Sequence, residues 1–147
     1  MADPLFSSVG SADQISRVIS QATAPTFLLG AVAAFISVLI TRINRLIDRS
    51  NVLIAIPDDA KNAHLKDALP HLKWRAKLMN RAIEFAIIAG IFTTLLVILA
   101  FASAVLNVQH EYGAGVLFAI ALCFFVAALI TLWREVRAAL RDLDHFP

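Results

Sequence analysis

Three long stretches of the chain carry no charged residue: between Arg17 and Arg42, between Glu84 and His110, and between Glu111 and Arg134. Each holds the roughly 20 residues that an α-helix needs to cross about 30 Å of hydrocarbon. A helix of a soluble bundle would be interrupted by charge every turn or two, because one of its faces meets water. The pattern predicts an all-α membrane protein with three transmembrane helices, at about 24–41, 84–106 and 113–133. Composition agrees: 59% of the 147 residues are hydrophobic, and mean hydropathy is +0.75, above what a soluble domain usually shows.

Outside the spans the pattern is helical too. In residues 1–23, Ile15, Val18, Ile19 and Ala22 share one face, and Ser11 with Gln14 fits a capping box. This predicts a short amphipathic helix lying on the outer surface, with Pro25 marking entry to the first span. Between the first two spans, residues 42–83 keep a helical period. Ile43, Leu46, Ile47, Leu53 and Ile54 prolong the first helix, and Leu65, Leu69, Leu72, Ala76, Met79 and Ile83 lead into the second. Pro57-Asp58-Asp59 marks the turn and a helix start. Pro70 is expected to kink or restart the returning arm, since it lacks an amide donor. The expected element is a cytoplasmic helical hairpin extension. The segment NVQHEYGAG is short and contains glycine, which makes the second and third helices antiparallel neighbours. Residues 134–147 form a tail.

Charge distribution orients this arrangement. Of thirteen lysines and arginines, nine lie in 42–81 and three follow Trp133; Arg17 alone falls on the other side. The positive-inside rule then puts the N-terminus outside and the long loop and C-terminus in the cytoplasm. Tyr112 and Trp133 suit interfacial positions at the two ends of the third span. The first span is not a cleaved signal peptide on this reading, because its N-terminal flank holds Asp3 and Asp13 with only Arg17. The single cysteine, Cys123, lies mid-span and carries no redox information.

Small residues let membrane helices approach closely. Rows of them occur in every span: Gly30, Ala34, Ser37 and Thr41; Ala82, Ala86, Gly90 and Thr94; Gly115, Ala119, Cys123, Ala127 and Thr131, with Glu135 prolonging the last row into water. The expected use of these rows is contact between helices. The first row continues through Asn44, Asp48 and Asn51, so one face grows steadily more polar toward the cytoplasm. Ser37, Thr41, Asn44 and Asp48 are therefore the candidate polar packing face. Two readings stand for it: pairing with Arg75, Lys77, Asn80, Arg81 and Glu84 of the returning arm, or a water-filled axis in a symmetric oligomer. Arg42, Arg45 and Arg49 occupy another face and form, with Arg81 and Glu84, a headgroup or salt-bridge cluster.

The chain has no Gly-rich phosphate loop, HExxH or CxxC. His64 and His71 lack a carboxylate or thiol to complete a metal site. Catalytic residues, metals and cofactors are thus expected to be none. Acidic residues dilute the basic loop, and topology with anionic-lipid attraction explains its excess without nucleic acid. The order of parts resembles a family of small, uncharacterised three-helix bacterial membrane proteins, a domain of unknown function. The resemblance rests on APTFLLG opening the first span, NRLIDR after it, LMNRAI opening the second and LWREVRAAL closing the third. It covers about Ile15 to Arg141 and implies a bacterial inner-membrane location, but no activity. The expected function is a non-enzymatic scaffold or accessory subunit. It would work by helix packing in the bilayer, as a homo-oligomer or within a larger membrane complex, with anionic lipids at its cytoplasmic face. The alternative is a homo-oligomeric ion channel or pore.

Overall fold

The computed structural model describes residues 4–57, 66–106 and 111–143. They form three long helices: α1, Pro4–Ile54; α2, Leu69–Leu106; and α3, Glu111–Leu143. Each contains a segment long and apolar enough to cross a membrane. The central helix α2 packs along both α1 and α3.

α1 is one continuous helix of 51 residues, about 75 Å at 1.5 Å per residue. This corrects the expected break at Pro25 and the separate surface helix. Pro4 stands in the first turn, where a missing amide costs nothing, and Ser11 lies inside the helix rather than at its start. Pro25 is buried within α1. It withholds the donor for the Gln21 carbonyl, yet the helix continues on both sides. α1 ends before Pro57, as the residue preceding a proline is steered out of the α region. Pro70 falls in the first turn of α2 and so starts that helix rather than bending it. Asp58, Asp59, His64 and Leu65 lie outside the described residues, as do residues 107–110 between α2 and α3.

The buried positions of all three helices recur every seven residues. In α1 they include Pro25, Val32, Leu39 and Leu46. In α2, Leu72, Met79, Ala82, Ala86, Ala89, Thr93 and Leu96 are buried, stepping by threes and fours after Met79. In α3 they are Ala121, Ala128 and Glu135. A mean step of 3.5 residues keeps one seam facing its partner, the geometry of left-handed helix packing. Val32, Ala86, Ala89 and Ala128 bring the three helices together in one apolar cluster. Toward the polar end, Leu39, Leu46, Leu72, Met79 and Ala82 form a second. Aromatic rings reinforce the first: Phe35 of α1 meets Phe125 of α3 edge-on at 5.6 Å, and Phe92 stacks on Phe124 at 5.8 Å.

This seam is not the expected set of small-residue rows. A row spaced by four residues turns about 40° around a helix at each step. Ala82 and Ala86 are buried, but Gly90 is half-buried and Thr94 exposed. Gly115, Ala119 and Cys123 of α3 are exposed, as are Gly30, Ala34, Ser37 and Thr41 of α1. The expected contact between these rows within the protomer is therefore corrected for α1 and for the first half of the α3 row. Large apolar side chains also face outward, among them Phe27, Ile98 and Val116, as lipid-facing residues do.

Candidate functional site

Glu135 occupies the α3 seam seven residues after Ala128, so helical geometry carries its carboxylate inward between α1 and α2. Its side chain is 3% exposed. Arg75, on the α2 seam between Leu72 and Met79, reaches Glu135 Oε1 with Nε at 3.1 Å and Nη2 at 2.8 Å. Arg42 of α1 approaches the other oxygen, Oε2, from 3.5 Å with Nη1. One carboxylate is thus held between two guanidiniums, each from a different helix. A carboxylate in an apolar interior is costly unless paired and hydrogen-bonded; here both of its oxygens are engaged. Arg42 keeps 46% of its side chain exposed, while Arg75 keeps 15%. Arg75 is therefore the inner, stronger partner and Arg42 the outer one.

This cluster replaces the expected path of Glu135 into water, which the structure corrects. The heptad position, not the four-residue row, decides the direction of the side chain. It also draws Arg42 from a headgroup role into an ion pair. The signal was present in the sequence as Ala121, Ala128 and Glu135 at intervals of seven, and as Arg75 among Leu72, Met79 and Ala82.

The remaining candidate residues lie elsewhere. Ser37, Thr41, Asn44 and Asp48 are all exposed on the side of α1 away from α2. Arg45, Arg49, Arg81 and Glu84 are exposed as well. The structure brings Arg42 to Glu135 but does not bring Arg81 and Glu84 into an ion pair with each other or with α1. Pairing of Asn44 and Asp48 with the returning arm of their own protomer is corrected for the same reason: their face points outward. Thr41 is internally satisfied, since its hydroxyl donates to the Ser37 carbonyl at 3.0 Å. Thr23, Thr26, Thr93, Thr94 and Thr131 bond back to their own helices in the same way. The polarity of the α1 face that is not satisfied within the helix is thereby concentrated in Ser37, Asn44 and Asp48.

Other features frame the site. Arg137 lies over the Trp133 ring at 4.4 Å, a cation–π contact one helical turn apart. An apolar groove between α1 and α2 is lined by Leu29, Val32, Ile36, Ile87, Gly90 and Ile91, among others. Among the described residues, no three His, Cys, Asp or Glu side chains gather as metal ligands would; His71 is exposed.

Residues 22–145 match the family described as DUF2721, proteins of unknown function. The chain belongs to that family. The match takes in both arginines and the glutamate of the cluster, the polar face of α1 and all three apolar segments, leaving residues 1–21 and 146–147 outside. No curated protein matches the chain, and no solved structure does. The family assignment therefore carries membership without an activity, and the geometry has to supply the functional reading.

Proposed function

We propose that this protein is an integral membrane scaffold or accessory subunit that works through helix packing, as a homo-oligomer or within a larger membrane complex. One observation carries the reading. The protomer satisfies Glu135 internally, yet turns Ser37, Asn44 and Asp48 outward at and just beyond the end of an apolar span. Lipid tails cannot hydrogen-bond to such a face, whereas another protein helix can. The placement we propose is a bacterial inner membrane, N-terminus outside, with the Arg42–Arg81 segment forming a cytoplasmic helical hairpin. Arg45, Arg49, Arg134 and Arg141 would stand among anionic headgroups.

The test is co-purification. Two copies of the full chain, each with a different tag, are co-expressed and extracted from membranes in mild detergent. Capture of one tag is expected to bring down the other, or a fixed set of foreign subunits. A chain that elutes as a bare monomer from native-lipid extracts would remove the basis of the proposal.

A second reading has a specific observation in its favour. Ser37, Thr41, Asn44 and Asp48 form one unbroken exposed run, which could line a pore if several α1 helices surrounded an axis. Ion conductance in planar bilayers, altered in selectivity by Asp48→Asn, is the outcome that reading requires.

A further inference from the structure

We infer that the outer face of α1 seats on the outer face of α2 in a second copy of this chain, so that copies join head to tail into a closed ring. This rests on the self-association reading above and specifies its contact. Two exposed rows carry the inference. On α1 the row is Gly30, Ala34, Ser37, Thr41, Asn44 and Asp48; on α2 it is Lys73, Lys77, Asn80, Glu84, Ile87 and Ile91. Both step by four, three, four, three and four residues, the same alternation that builds the seams inside the protomer. Every member of both rows is exposed.

The rows also match in depth. A side chain at Gly90 would meet Val32 Cγ1 at 3.6 Å, which places those two residues of the antiparallel helices at one level. At about 1.5 Å per residue along each helix, Gly30 then lies level with Ile91, Ala34 with Ile87, and Ser37 with Glu84, to within about a turn. Thr41 lies level with Asn80, Asn44 with Lys77 and Asp48 with Lys73. Rotation about the membrane normal preserves depth, so the same levels meet between copies. A large side chain faces a small one in the apolar half; nothing stands within 4 Å of where a Gly30 Cβ would be, which leaves room for Ile91 of a neighbour. In the polar half, hydroxyl and amide groups meet Glu84 and Asn80, and the Asp48 carboxylate meets two lysines. The opposite charges of Asp48 and the two lysines favour this register and orientation.

The two rows lie on different helices, so the contact is heterologous and leaves each copy with one free row until the ring closes. Seated this way, Asn44 and Asp48 are covered by protein rather than by channel water, and the α1 row is not a pore lining. A ring of Asp48 carboxylates around a shared axis would instead set like charges against one another.

The experiment uses full-length chains with Cys123→Ala, carrying different tags and one new cysteine each, oxidised in native membranes. Asn44→Cys in one copy with Lys77→Cys in the other is expected to give a disulfide-linked heterodimer, while Asn44→Cys alone gives none. Efficient crosslinking of Asn44→Cys to itself would overturn the seating in favour of the axial arrangement. Co-purification of the tags without crosslinking of Asn44→Cys to Lys77→Cys, Lys73→Cys or Asn80→Cys would also overturn it, leaving self-association intact. Loss of co-purification in the cysteine-free parent would sink the self-association reading itself. As a charge test, Asp48→Lys is expected to weaken co-purification severalfold, and Lys73→Asp with Lys77→Asp in the same chain to restore it. Failure of the reversal to restore binding, with protomer stability unchanged, counts against the proposed contact.

Discussion

Glu135 sits where a core leucine would ordinarily go, and its surroundings make it dependent on Arg75. Removing one member of a buried ion pair strands the other in a poorly solvating interior, at a cost of about 3–5 kcal/mol. Arg75→Leu, which strands the buried carboxylate, is expected to destabilise the protomer on that scale, read as a drop in melting temperature in detergent, and Glu135→Leu, which leaves the more exposed Arg75, by less. Arg42→Leu should cost far less, about 1 kcal/mol or under, because its side chain is half in solvent and its contact is long. The double replacement Arg75→Leu with Glu135→Leu should recover most of the loss, since apolar residues of similar volume can replace a buried pair. Equal damage from all three single substitutions, with no recovery in the double, would show that the pair is not what makes Glu135 costly.

At the scale of elements, the three helices are held by a period of 3.5 residues. Ala86, Ala89 and Ala128 have no exposed surface and lie in the cluster where the three helices meet. Ala128→Leu is therefore expected to overpack the bundle by about 1–3 kcal/mol, whereas Ala119→Leu, on the exposed side of α3, should leave melting nearly unchanged. The same period separates what could be read in the sequence from what could not. Charge-free runs and proline positions were enough to predict three helices, the end of α1 near Pro57 and the restart of α2 at Pro70. Leu69, Leu72, Ala76, Met79 and Ile83 were also legible as an inward stripe, and none of them is exposed. Pro25 misled because a long helix packed against a neighbour can tolerate one missing hydrogen bond. Glu135 misled because a four-residue row drifts around the helix, and its small members suggested contact where the seam had already turned away. The seven-residue spacing of Ala121, Ala128 and Glu135, rather than the four-residue row, is the signal that this glutamate points inward.

For the molecule as a whole, the described arginines and lysines other than Arg17 gather at the end of the bundle where Arg42, Arg75 and Glu135 meet. The proposed orientation places that end in the cytoplasm. A membrane-impermeant thiol reagent applied to intact cells should fail to label Lys61→Cys in a Cys123→Ala background and label it after the cells are opened. Labelling from outside would invert the orientation, and with it the compartment from which any partner approaches the polar end. Inversion would leave the internal packing untouched, because the heptad seams contain no reference to either side of the membrane.

The charge cluster also imposes an order on assembly. Arg42 and Glu135 are separated by 93 residues, and Glu135 emerges last. Arg75 precedes Glu135 by 60 residues, so during synthesis at about 5–20 residues per second the two arginines wait on the order of 3–12 s for the Glu135 carboxylate. The first two helices cannot complete their polar end alone; α3 closes it on arrival. Insertion of the third span is thereby recorded as a change in local charge balance, since it delivers a carboxylate that both arginines share.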